Sequence, residues 1–211
     1  MFDLPKSTVV KKVIPKNAFD AYTNSKQKKL IAGKILRITW SNKISFDTSN
    51  LQGATIEEIQ IFEIELKEES DIQSILTIID KSIPYNIIFI IRFGSSFYLS
   101  TSAKHINPHN SDNAVIDYTF TSSWISIDGG AFRLNLKNSL DWVYKDFCEQ
   151  FKNISAKADS LDNLITYNKE KDFLEKEIVK VKAAILSCKQ FNKKVELNLK
   201  LKNLEEKLLK R

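Results

Sequence analysis

The sequence predicts an α+β fold: a mixed sheet with N-terminal and flanking helices, followed by a C-terminal long helix or helical hairpin of coiled-coil type. Three observations predict it. The stretch Ile59 to Phe93 reads as strand, helix and buried strand. Hydrophobic alternation resumes beyond Gly94 in at least two further segments. A heptad seam then runs through the end of the chain. The expected division is a globular α+β domain over 1–155 and a helical region over 156–211.

Taken in order, residues 2–16 form an extended lead-in punctuated by Pro5 and Pro15. Asn17 is placed to cap a helix holding Phe19 and Tyr22. A second helix follows with Leu30, Ile31 and Lys34-Ile35-Leu36 on its apolar side. Lys26, Lys28 and Lys29 stand near its start, where they oppose the helix dipole. Ile38-Thr39-Trp40 and Lys43-Ile44-Ser45-Phe46 make a strand or an irregular link into the central strand.

That central strand alternates Phe62, Ile64 and Leu66 on one face with Glu63, Glu65 and Lys67 on the other. Ser70 and Asp71 supply an N-cap signal, Ile72, Ile75, Leu76 and Ile79 follow at helical spacing, and Pro84 closes the helix. Tyr85 to Ile91 is almost unbroken apolar sequence, which marks a strand buried on both faces.

Gly94 turns the chain into a strand over Ser96 to Thr101. His105 to Asn113, with Pro108 and three asparagines, reads as a polar surface loop. Val115 to Ile127 alternates as one long or bulged strand, and Asp128-Gly129-Gly130 is a turn. Ser139 caps a helix from Leu140 through Phe151.

From about Leu161 the chain is helical. Leu174, Ile178, Val181, Ile185 and Cys188 step by four and three; the seam falters at Gln190-Phe191-Asn192 and resumes at Leu197, Leu201, Leu204 and Leu208. As one helix, Lys169 to Arg211 would be about 65 Å long. Either it folds back on itself or it pairs with another chain.

Composition narrows the function classes. With 211 residues, 43% of them hydrophobic, and only 5 Gly and 4 Pro, the chain can bury one good core without long flexible linkers. Its 2 cysteines exclude a disulfide framework and a Cys-rich zinc site. The start of the sequence has no apolar core of signal-peptide length, and no apolar run approaches a membrane span, so a cytoplasmic location without membrane contact is expected. The net charge of +6 is unevenly spread: residues 1–50 carry +7, residues 51–168 carry −7 and residues 169–211 carry +6. Basic ends around an acidic middle either neutralise each other within the fold or meet an acidic partner such as nucleic acid.

One constellation suggests chemistry. Metal-dependent nucleases of the restriction-endonuclease type place Glu-x-Lys at the end of a core strand, where the carboxylate holds magnesium and the lysine steadies the attacking water or the phosphate. Glu65 and Lys67 fit that spacing, Glu63 stands in support, and Asp47 is the available upstream acid. A half-solvated strand of alternating charge contains the same spacing by chance. His105 and His109 are four apart, but Pro108 between them argues for a loop over a helical metal site. There is no Gly-rich phosphate loop and no nucleophile elbow. Trp40, Trp124 and Trp142 read as core. Lys189, Lys193, Lys194, Lys200 and Lys202 could contact phosphates or line a solvated coiled-coil face.

Several segments together resemble a known bacterial and archaeal family. They are Leu4-Pro5-Lys6-Ser7-Thr8, Ile14-Pro15-Lys16, Glu58 to Leu66, Ile79 to Tyr85, and Lys189 to Asn198. The family is domain of unknown function forty-three ninety-one, and the similarity spans nearly the whole chain. It carries no established catalytic residues, and the positions of Asp47 and Lys67 are not reliably acidic and lysine in its pattern. The resemblance implies a setting beside adenine-specific DNA methyltransferases and superfamily-two helicases of restriction-like, anti-phage clusters. The expected function is therefore an accessory, non-catalytic subunit of such a complex that needs no cofactor. Its α+β domain would dock on a methyltransferase or helicase partner. Leu174, Ile178, Val181, Ile185, Leu201, Leu204 and Leu208 would pair with another chain, a second copy included, or the lysines would lie along DNA. The alternative is a magnesium-dependent nuclease using Asp47, Glu63, Glu65 and Lys67.

Overall fold

Alternating sequence becomes strand throughout the first part of the chain. The computed structural model describes residues 2–126, 132–151 and 158–209, and the chain divides into a unit over Met1–Lys157 and a unit over Ala158–Arg211. In the first, the elements are β1 (Val9–Ile14), α1 (Ser25–Lys34), β2 (Ile35–Ser45), α2 (Phe46–Ser49), β3 (Glu58–Leu66), α3 (Gln73–Lys81), β4 (Asn86–Phe93), β5 (Ser96–Asn107), β6 (Asn110–Thr121), β7 (Ile125–Ser126) and α4 (Leu140–Glu149). The fold is α+β. Its sheet runs β1-β2-β3-β4-β5-β6, with the short β7 also on β5. Every pairing is antiparallel except β3 with β4, whose connection carries α3.

The parallel pair follows from composition. On β3, Phe62, Ile64 and Leu66 enter one core, and Ile59 and Ile61 are buried on the opposite face. Residues Asn86 to Ile91 of β4 are buried on both faces. The first core joins Phe62, Ile64 and Leu66 to Ile87, Phe89 and Ile91 of β4 and to Ile72, Ile75, Leu76 and Ile79 around α3. Removing such side chains from water stabilises the fold by roughly 1.5–3 kcal/mol each. The cap position of α3 is Ile72, not Ser70 or Asp71; Asp71 precedes it and accepts the Gln73 N–H (2.7 Å) in an Asx turn. On the second face, Tyr144 of α4 is fully buried and its hydroxyl meets Thr101 Oγ1 and the Ser102 carbonyl, both at 2.7 Å. Ser139 caps α4 by accepting the Trp142 N–H.

Three further expectations need correction. The segment holding Phe19 and Tyr22 is a 3-10 helix over Lys16–Tyr22 with Pro15 at its cap position, so Asn17 caps nothing. Asn24 instead forms a capping box with Gln27 at the start of α1. The helix expected to hold Lys34-Ile35-Leu36 on its apolar side stops at Lys34, because Ile35 opens the eleven-residue strand β2, the strand alternative for the stretch through Ile38 and Lys43. Register breaks opposite β3 around Leu36 and Ser41 shift its alternation. The polar loop His105 to Asn113 is two strands joined at Pro108 and His109, with Asn107 opposite Asn110. Beyond Thr101 this hairpin leaves β4 behind, and its outer part over residues 105–112 is mostly exposed. The expected turn Asp128-Gly129-Gly130, and Ile127 before it, lie outside the described residues. Gly94 has φ +56°, a conformation that the turn from β4 to β5 leaves open to glycine.

The second unit is a hairpin of α5 (Leu161–Ser187) and α6 (Phe191–Leu209). The seam falters because Cys188, Lys189 and Gln190 make the turn, without glycine or proline to announce it. Lys182 of α5 pairs with Glu205 of α6 at 2.9 Å.

Candidate functional site

The charged face of β3 comes first, because it carries the nuclease constellation. Register places Glu65 opposite Arg37 on β2 and beside Arg92 on β4. The break at Ser41 aims its hydroxyl at Glu63 Oε1 (2.9 Å), and Arg92 Nε lies 3.3 Å from Glu63 Oε2. Lys67 is turned to another use. Its Nζ donates to the Ala32 carbonyl (2.8 Å) and its N–H to the Lys34 carbonyl (2.9 Å), so it caps the end of α1. Asp47 sits in α2 beyond Ser45, which pairs with Glu58 at the far end of β3. Glu65 lies seven residue steps along the strand from Glu58, about 23 Å at the strand rise. The fold brings Glu63 and Glu65 together, diverts Lys67, and leaves Asp47 at the opposite end of the strand. His105 and His109 are likewise not joined: His105 Nδ1 faces Asp117 Oδ2 at 2.9 Å across the hairpin, and His109 lies in the turn. Trp40 and Trp124 pack against the first core, as expected.

A second feature was missed in the sequence. Lys104 and Asp80 form an ion pair of 2.7 Å with side-chain exposures of 0% and 2%. Lys104 Nζ also donates to the carbonyls of Asp80 and Ile83 (2.7 and 2.8 Å), so all three of its protons are used. Burial pulls the Lys104 ammonium below its ordinary value and pushes the Asp80 carboxyl above its own, with the partner's charge opposing each shift. The pair braces the C-terminal end of α3 against β5.

Beside that brace runs a groove between α3 and the edge strand β6. It consists of two adjoining clefts of 620 and 580 Å³ that share Thr77 of α3 and Thr119 of β6. Tyr22 and Lys81 line one end, and Tyr98 and Trp124 the other. The Tyr98 and Trp124 rings meet edge to face at 4.8 Å. Burial, and then the charge of Asp71, raise the Tyr98 phenol well above its ordinary value, against a backbone hydrogen bond from Ile72. Asn113 Oδ1, also in the groove wall, is buried with no hydrogen-bond partner among the described residues.

Backbone alternation completes the groove. The Ser122 N–H donates to the Leu99 carbonyl (2.9 Å), which fixes the phase of the β5–β6 ladder. Thr121 opposite Ser100, and Thr119 opposite Ser102, are then the non-hydrogen-bonded pairs. Their N–H and C=O groups point outward, and no strand among the described residues pairs with that edge. A groove with an open strand edge for one wall suits an extended peptide, which would complete the ladder and set alternate side chains into the cleft.

The hairpin supplies the third surface. Leu174, Ile178 and Val181 are buried, and Ile185, Leu201, Leu204 and Leu208 are partly buried on the inner sides of α5 and α6. The residues expected to meet another chain instead close the hairpin on itself. Lys193 and Lys200 share a side of α6, whereas Lys194 and Lys202 fall on other sides and Lys189 precedes the helix. The five lysines form no single track. The exposed apolar residues are different ones: Phe191, Val195, Leu199 and Leu209 on α6, and Phe173, Val179 and Leu186 on α5.

No helix among the described residues is long and apolar enough to cross a membrane. No curated protein and no solved structure matches the chain. The family model described as Domain of unknown function (DUF4391) matches residues 2–208, and the chain belongs to that family.

Proposed function

We propose that this chain is a non-catalytic accessory subunit that works by docking, and that its place is in a DNA methyltransferase or helicase type of restriction or defence assembly. The groove between α3 and β6 carries the reading. An extended segment of the partner adds to β6, takes the outward N–H and C=O groups of Thr119 and Thr121, and supplies a donor to Asn113 Oδ1. The family resemblance supplies the class of assembly. The dispersal of Asp47 from Glu63 and Glu65, and the use of Lys67 as a helix cap, weigh against the magnesium nuclease. Protein contact also outweighs DNA contact here, because the tail lysines point several ways.

The test is recovery of methyltransferase or helicase partners from the native host by the tagged full-length chain. Thr119→Pro removes an outward N–H and no ladder bond, and edge strands tolerate proline. It is expected to lose the partner while Val13→Thr on the opposite edge keeps it. Equal recovery by both variants would overturn the docking mode. Magnesium-dependent DNA cleavage by the purified chain, abolished in Glu65→Ala, would overturn the non-catalytic reading.

A further inference from the structure

The outer side of α6 carries a pattern that its hairpin does not use. At 100° per residue, Leu197, Leu201, Leu204 and Leu208 cluster on one side of the helix, and Phe191, Val195, Leu199, Lys202, Glu206 and Leu209 fall within an arc of about 80° on the other. The first group faces α5. In the second, Leu199 is 60% and Leu209 86% exposed. Lys202 and Glu206 are exposed and have no ion-pair partner among the described residues. From Leu199 the spacing is three, four, three, which makes Leu199 and Glu206 a-type and Lys202 and Leu209 d-type positions of a second heptad seam.

We infer that α6 pairs through this outer stripe with α6 of a second copy of the chain, antiparallel about a two-fold axis at Leu204. The stripe is self-complementary only in that arrangement. Turning a helix end for end about Leu204 exchanges Leu199 with Leu209 and Lys202 with Glu206. Each leucine then meets a leucine of the other copy, and each lysine a glutamate. The a-type positions face d-type positions, as antiparallel packing requires. Parallel pairing in register would set Lys202 on Lys202 and Glu206 on Glu206, which is repulsive twice over. An antiparallel axis moved two residues toward the N-terminus sets Val195 against Leu209 but brings Lys202 onto itself. The charges therefore select the register as well as the partner.

The overlapping segment is eleven residues, about 16 Å long, so the pairing is a reversible monomer–dimer equilibrium. A dimer of this kind presents two α3–β6 grooves, and its existence does not depend on what those grooves bind. It offers a partner complex two docking sites, which raises avidity without any new contact.

The experiment is sedimentation equilibrium of the full-length chain over a wide loading range, with helicity followed by circular dichroism as a control. Wild type is expected to dimerise. Lys202→Glu alone and Glu206→Lys alone each set like charges together twice, and each should raise the dimer Kd about tenfold or more, which corresponds to at least 1.4 kcal/mol. The double swap Lys202→Glu with Glu206→Lys should restore the homodimer. An equimolar mixture of the two single variants should associate with each other and not with themselves. A wild type that stays monomeric at every loading overturns the inference. So does a dimer indifferent to both single reversals, or a double swap that behaves as badly as either single variant.

Discussion

The two edges of the sheet are built from the same backbone and treated in opposite ways. Strand β1 is bracketed by Pro5 and Pro15, carries Lys11 and Lys12, and breaks register between Val9 and Lys12 with Lys11 at φ 51°. Each of these features discourages a further strand from joining. Strand β6 has a register break between Ile116 and Tyr118, but the run Thr119 to Thr121 contains no charge, no proline and no break. That run is also where α3 stands off to leave a groove. Edge protection is the default in natural sheets. An edge guarded on one side and left open beside a cleft on the other points to use.

The largest expected effect is on the brace behind the open edge. Lys104→Met leaves Asp80 and two helix-end carbonyls buried without their donor, and should cost about 3 kcal/mol of unfolding free energy in denaturant titration. The variant should also weaken partner recovery, because α3 loses its hold on β5. A cost below about 1 kcal/mol would mean that the pair is dispensable and the groove is held by apolar packing alone.

Asp141 sharpens the comparison from a place near neither edge. Its carboxylate accepts the N–H groups of Ala54 (2.6 Å), Thr55 (3.0 Å) and Ile56 (3.1 Å), fixing the loop before β3 to the first turn of α4. Gly53 permits this tight loop, since a Cβ there would collide with the Ile56 carbonyl. Burial works to raise the Asp141 carboxyl, but the three donors outweigh it and hold the group below its ordinary value. A depressed folded-state pKa contributes stability above the unfolded value of about 3.9, and that stability is lost as pH falls through the folded value. Asp141→Ala should therefore cost about 1.5 kcal/mol at neutral pH, discounted for the partial exposure of the carboxylate. The difference from wild type should shrink in acid, and docking should be unchanged. A pH-independent difference would assign the loss to packing.

The smallest expected effect on stability is that of Thr119→Pro, about 1 kcal/mol, because it removes the hydrogen bond between the Thr119 and Ser102 hydroxyls (3.0 Å) but no ladder bond. Its effect on docking should nonetheless be complete. Stability and docking would then separate cleanly: large cost and partial loss at Lys104, moderate cost and no loss at Asp141, little cost and full loss at Thr119.

Much of the fold was legible in the sequence because burial imposes a period. The alternation of Phe62, Ile64 and Leu66, and the helical spacing of Ile72, Ile75, Leu76 and Ile79, each report one buried face. What escaped lacks such a face or breaks its phase. The outer part of the β5–β6 hairpin is solvated on both sides, so its residues have no reason to alternate and mimic a loop. In β2 the breaks near Leu36 and Ser41 reset the alternation. The site was less legible than the fold. Whether Asp47 could approach Glu65 is a matter of strand register, and partners in register are distant in sequence. The heptad seam was read correctly as a seam, but a seam does not say whether it closes on its own chain. The outer stripe of α6 was hidden because Lys202 and Glu206 interrupt its leucines.

The open edge is the centre of the account, and amide hydrogen exchange tests it most directly. Exchange at Thr119 and Thr121 should be fast in the free chain, since their N–H groups have no ladder partner, and should slow strongly when the partner complex is added. The outward amides of β1 should not change. Protection confined to Thr119, Thr121 and the groove would establish docking by strand addition to β6. Unchanged exchange at both threonines in a complex that still forms would contradict it.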